Sequence, residues 1–190
     1  MLIFLLVLLT VLAVALILSK GRITGFAISE NDFSDKDIYS ALKFAEGKNA
    51  LSFVIGDNTN DAVKKSLIAS QIVAASELAR KFGIERAYTA DEKLRLEEDG
   101  KKVLLIFGTS DVNSMTAEFL KSKPLINTGE AIIAIDKTKG FKIYIAGKSQ
   151  ADLQMAVDIL VNYETYQDKL KAQSVKITKE NDQYRIEAWQ

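Results

Sequence analysis

Three times along the chain an apolar run stops at a glycine, passes through a turn rich in side-chain oxygens, and continues as a helical pattern. Leu51–Ile55 ends at Gly56 and leads through Asp57, Asn58, Thr59, Asn60 and Asp61 into a long helix. Val103–Phe107 ends at Gly108 and leads through Thr109, Ser110 and Asp111 into a helix containing Met115, Phe119 and Leu120. Phe141–Ala146 ends at Gly147, and Lys148, Ser149 and Gln150 open a third helix. Glycine lets the backbone turn sharply, and Asp, Asn, Ser and Thr oxygens accept from the unpaired N–H groups at helix starts. Continuous apolar strands that alternate with helices predict an α/β domain. Its expected core is a mixed, largely parallel sheet with helices on both faces.

The helical stretches carry apolar stripes. Leu67, Ile68, Ile72, Ala75, Leu78, Ala79 and Phe82 are expected to face the core on the first, which Gly83 stops. Leu153, Ala156, Val157, Leu160 and Tyr163 do the same on the third. Glu130–Ile135 reads as a strand turned back at Asp136–Gly140 into Phe141, a hairpin that adds an antiparallel pair. Val175–Ile177 and Tyr184–Trp189 alternate in period two around Glu180, Asn181 and Asp182, predicting a C-terminal β-hairpin at a sheet edge. Upstream, Ser34–Asp37 opens a short helix with Ile38, Leu42, Phe44 and Ala45 on its apolar side and Gly47 as its stop.

Leu2–Leu18 contains no charge, and Thr10 is its one polar side chain. As a helix it extends about 26 Å, near the roughly 30 Å of a bilayer's hydrocarbon. Lys20 and Arg22 follow, placed to reach a headgroup layer. The run reads as a retained transmembrane helix or signal anchor; a cleaved signal peptide carries basic residues ahead of a shorter apolar stretch. The expected organisation is therefore 1–20 as transmembrane segment, 21–33 as linker and 34–190 as one α/β domain.

The residue inventory removes whole classes of chemistry. Lys and Arg total 25, as do Asp and Glu, so the formal net charge is zero and no basic footprint for nucleic acid exists. The chain has no Cys and no His. Disulfides, thiolate nucleophiles, zinc sites of the usual ligands and Ser-His-Asp triads are excluded with them. No cofactor and no metal are expected, and no catalytic residue is assigned.

The three glycine turns are expected to share the carboxyl edge of the sheet, where open α/β sheets bind ligands. The candidate ligand-binding residues are Gly56, Asp57, Asn58, Gly108, Asp111, Asn113 and Gly147. None of the turns carries a GxGxxG or GxxxxGK[ST] signature, and helix capping explains the same residues, with Asp111 or Asn113 as the cap of the second helix. A cation site built from Asp57, Asp61 and Asp111 with Asn58, Asn60 and Asn113 is the alternative use of that edge. Glu97, Glu98 and Asp99 read as a solvated charge run.

From Gly108 onward the order of motifs is specific. Val112-Asn113-Ser114 is followed by Thr116-Ala117-Glu118, Gly129-Glu130-Ala131-Ile132-Ile133, Ile145-Ala146-Gly147 and Asn162-Tyr163. This order resembles the α/β surface-layer domain of archaeal S-layer proteins, with Thr109-Ser110 where that family's turn has Gly and Pro. The resemblance implies a single membrane-anchored copy with a structural or docking role in the cell envelope, without catalysis. It also implies other S-layer or envelope proteins as partners and an extracellular domain. Lys20 and Arg22 by themselves favour a cytoplasmic domain; the resemblance places it at the cell surface, and that is the expectation. A small-molecule or cell-wall-polymer binding module at the glycine turns is a second expectation, and a carboxylate-dependent hydrolase a third.

Overall fold

The computed structural model describes residues 36–47, 51–84, 87–90, 103–136 and 142–189. They form four helices, α1 (Ile38–Gly47), α2 (Ala62–Phe82), α3 (Ser114–Leu120) and α4 (Gln150–Val161). Seven strands accompany them: β1 (Leu51–Ile55), β2 (Ala87–Tyr88), β3 (Val103–Phe107), β4 (Glu130–Asp136), β5 (Lys142–Gly147), β6 (Ser174–Glu180) and β7 (Gln183–Ala188). All seven lie in one sheet, in the order β2-β1-β3-β5-β4-β6-β7. The expected membrane span, the linker and the charge run at 97–99 lie outside the described residues. Among the described residues no helix is long and apolar enough to cross a membrane.

The sheet is mixed, as expected, but not largely parallel. The β2–β1, β1–β3 and β3–β5 pairs are parallel, and β5–β4, β4–β6 and β6–β7 are antiparallel. Half of the pairings thus run each way. The β4–β5 hairpin reverses direction at the centre, and the chain then crosses over β4 through α4, so that β6 lies on the far side of β4, antiparallel to it and parallel to β5.

Side chains alternate between the faces of each strand, so each face has its own cover. Phe53, Leu105, Ile133, Ile143, Ile145 and Val175 form the larger core with α1, α2 and α4. On the opposite face, Val54, Leu104, Ile106 and Tyr144 pack against Met115 and Phe119 of α3. Ile132, Ala146 and Trp189 continue that layer, with Phe119 and Leu120 against them. Helices therefore cover both faces; among the described residues there are three on one and a short one on the other. All five stripe residues of α4 and its downstream turn, Leu153, Ala156, Val157, Leu160 and Tyr163, are buried.

The stripe expected on α2 holds only in its second half. Ala75, Leu78 and Phe82 are buried, whereas Leu67 is 43% and Ile72 48% exposed. For Leu67 the reason is length. A helix of 21 residues extends about 31 Å, against about 17 Å for a strand of five residues. Ile68 and Gln71 already stand at the carboxyl ends of β1 and β3, against Gly56 and Gly108. The turns of α2 before them overhang the sheet.

α1 is tied in at both ends. The Ile38 and Tyr39 N–H groups donate to the Ala172 and Leu170 carbonyls at 2.9 and 3.1 Å, and the Tyr163 hydroxyl donates to Glu46 at 2.5 Å. Ile38, Ala41, Leu42 and Ala45 are fully buried beneath it.

Candidate functional site at the carboxyl edge of the sheet

β1, β3 and β5 are parallel, so Gly56, Gly108 and Gly147 all sit on one edge, as the repeated units predict. Their physical reasons differ. Gly56 and Gly108 have φ of 60° and 138°, conformations that favour glycine. Gly147 does not; it is required for room, because a β-carbon there would stand 2.6 Å from Cβ of Asp152. At Gly56 a β-carbon would meet Ile68 at 2.8 Å, and at Gly108 it would meet Oε1 of Gln71 at 2.6 Å. Each glycine thus admits a helix packed against the strand end.

The turns are stitched to those helices. Asn113, fully buried, caps α3: its Oδ1 accepts from the Met115 and Thr116 N–H groups, each at 3.1 Å. Its Nδ2 donates to the Phe107 carbonyl at 3.1 Å, closing the turn back on the strand. Asp57 caps the same helix from the neighbouring turn. It accepts from the Ser114 N–H at 3.0 Å and the Ser114 hydroxyl at 2.7 Å, while its own N–H donates to the Val112 carbonyl at 2.7 Å. Asp61 caps α2 by accepting from the Val63 and Lys64 N–H groups at 2.8 and 3.0 Å. Those two bonds, the Lys64 one foremost, hold its carboxyl below the usual aspartate range. Asn58 and Asp111 lie exposed in the first and second turns.

Of the two caps expected for α3, Asn113 is the one found. The alternative cation site is not. Asp57 turns toward α3 and Asp61 toward the first turn of α2, and among the described residues no three carboxylates gather where a metal ion would sit. Asn113, which is wholly buried, has its amide oxygen committed to α3 and its amide nitrogen to β3.

Two further residues of this edge carry signals that the sequence reading passed over. Asp152 is 2% exposed, and its carboxylate accepts from three backbone N–H groups, those of Gly129, Lys148 and Ser149, at 3.0, 3.1 and 2.9 Å. Ser149 returns the favour by accepting from the Asp152 N–H at 3.2 Å. The spacing Ser-x-x-Asp at 149–152 is a capping-box signal. Gln71, also 2% exposed, donates to the Thr109 hydroxyl at 3.2 Å, and its Oε1 has no conventional donor. It stands on the apolar stripe of α2 beside Ala74, Ala75 and Leu78, and a polar residue in that place is the signal.

The α3 face holds a separate feature. An open cleft of about 600 Å³ runs between α3 and the start of β5, lined in part by Met115, Glu118, Phe119, Asp136, Lys142 and Tyr144. Phe119 and Tyr144 stack at 4.0 Å with their planes 6° apart. Burial raises the Tyr144 phenol well above its ordinary range, and the Asp136 and Glu118 carboxylates push it the same way. None of its lining residues was a site expectation.

No protein-family model matches this chain, and comparison with curated proteins finds no relative.

Proposed function

We propose that this chain is a membrane-anchored, S-layer-like envelope domain that acts as a structural or docking unit at the cell surface and performs no catalysis. The observation that carries this is the use made of the carboxyl edge. Asp57, Asp61, Asn113, Ser149 and Asp152 direct their oxygens at the N–H groups of helix starts and turns. An edge built this way is a stiff, knitted surface suited to contact with another protein. The motif order from Gly108 to Tyr163 and the apolar run at 2–18 supply the envelope context and the tether, and the organisation 1–20, 21–33 and 34–190 goes with them.

Protease added to intact cells tests the proposal. Removal of the domain from intact cells is the expected result; survival in intact cells with digestion after lysis would place it inside and end the surface-layer assignment.

The cleft beside α3 favours a second reading, a binding module for a small molecule or cell-wall polymer. That module would use the stacked Phe119–Tyr144 wall rather than the glycine turns. Soluble envelope polysaccharide titrated against the full chain should then shift the tyrosine ultraviolet absorbance in the parent and not in Phe119→Ala.

A further inference from the structure

β7 ends the sheet, and among the described residues no strand pairs with its outer side. Exposed edges of this kind are normally blunted by proline, a bulge, unpaired charges or a very short strand. β2, at the other edge, has only two residues. β7 has six, Gln183–Ala188, with no proline or glycine and an unbroken register against β6. The phase of its backbone follows from the Trp189 N–H, which donates to the Ser174 carbonyl at 3.1 Å. In an antiparallel ladder the bonded pairs alternate. Arg185 and Glu187 therefore direct their N–H and C=O groups at β6, and those of Tyr184, Ile186 and Ala188 point outward.

We propose that the outer edge of β7 is a homodimer interface, pairing antiparallel with β7 of a second copy about a two-fold axis at Ile186. In that register Ile186 bonds to its own equivalent, Tyr184 and Ala188 bond reciprocally, and every outward backbone group between 184 and 188 finds a partner. Arg185 of each copy then stands directly opposite Glu187 of the other. Moving the axis to Arg185 or to Glu187 keeps the backbone phase but sets like charges opposite each other, which is destabilising. The charges thus select one register.

The row that would be extended already exists within one chain. Lys176 pairs with Glu130 at 3.1 Å and with Glu187 at 3.6 Å, and Arg185 pairs with Glu187 at 3.1 Å. Across the dimer the alternation continues as Lys176, Glu187 and the second copy's Arg185. The axis is perpendicular to the sheet, so the faces covered by α1, α2 and α4 in the two copies look the same way. The inference goes beyond the proposed envelope role and does not depend on which side of a membrane the domain occupies.

The natural chain has no cysteine, which makes the register directly readable. Full-length Arg185→Cys and Glu187→Cys chains, carrying tags of different size, are purified in detergent and mildly oxidised alone and mixed. Residues 185 and 187 of opposite copies form a non-bonded pair with α-carbons about 4.5 Å apart, within disulfide reach. Residue 185 stands beyond that reach from its own equivalent. A disulfide joining the two differently tagged chains in the mixture, with only background in Arg185→Cys alone, is expected. No cross-link in the mixture, or equal cross-linking in Arg185→Cys alone, overturns the proposal, provided Trp189 emission reports both variants folded. As a second measurement, Arg185→Glu should abolish the concentration-dependent dimer in sedimentation, and adding Glu187→Arg should restore it. Unchanged association in Arg185→Glu counts against the interface.

Discussion

The side-chain oxygen of Gln71 stands 2.6 Å from where a β-carbon on Gly108 would be. The buried amide thus occupies the space that the missing side chain leaves. Two constraints coincide at Gly108, a φ of 138° and this contact.

Gly108→Ala should therefore destabilise the domain by about 3 kcal/mol or more, combining backbone strain with the clash. In a Gln71→Ala background the clash is gone and only the strain remains, so the two changes should be less than additive. Urea unfolding followed by the emission of Trp189, the single and buried tryptophan, measures both. Strict additivity would mean that the two residues do not press on each other.

Asn113→Ala removes a double cap and leaves the Phe107 carbonyl without its donor. A cap alone contributes about 1 kcal/mol, and an orphaned buried group adds about 1–3. Asp111→Ala, at an exposed position of the same turn, should stay within about 0.5 kcal/mol of the parent. Equal unfolding midpoints for the two variants would contradict the assignment of the cap.

Asp152→Ala leaves the N–H groups of Gly129, Lys148 and Ser149 without their acceptor at once. The loss should be about 3 kcal/mol or more. Faster amide exchange at those three residues in the variant, measured by hydrogen–deuterium exchange, localises the effect. Unchanged exchange there would show that water replaces the carboxylate without penalty.

The Tyr184 hydroxyl donates to Asp158. Burial first, and then that carboxylate, push the phenol up to about 12 from its ordinary 10. The folded state holds the proton more tightly than the unfolded one, so the stabilisation is complete below pH 10 and is lost as pH rises through about 12. Tyr184→Phe should flatten that fall. Urea midpoints collected between those two pH values for parent and variant check the sign; identical slopes would remove Tyr184 from the alkaline response. The Tyr163 phenol is raised in the same direction, so the variant should flatten the curve without abolishing it.

What could be read without coordinates was local. The glycines at 56, 108 and 147, the Asn113 cap, the buried stripe of α4 and the two hairpins each depend on residues a few positions apart. Asn181 and Asp182 at φ of 49° and 59° make the two-residue turn that the polar trio at 180–182 predicts. β2 escaped notice because two residues carry no periodicity. The first turns of α2 were misjudged because apolar spacing reports which side of a helix is greasy, not whether a sheet extends beneath it.

Side-chain identity was enough to give the type of every strand and helix but β2, the edge on which three glycine turns gather, and the absence of thiol and imidazole chemistry. Those properties follow from side-chain identity and from backbone preferences that act over one turn. Tertiary structure alone decided the rest. The antiparallel β4–β6 pairing that joins the two hairpins, the cap that Asp57 places on Ser114 across 57 residues of chain, and the amide of Gln71 bonded to Thr109 across 38 are pairings between distant segments. Such pairings are selected by which polar groups and strand edges can be satisfied together once the layers pack, a condition written in no short stretch of the chain.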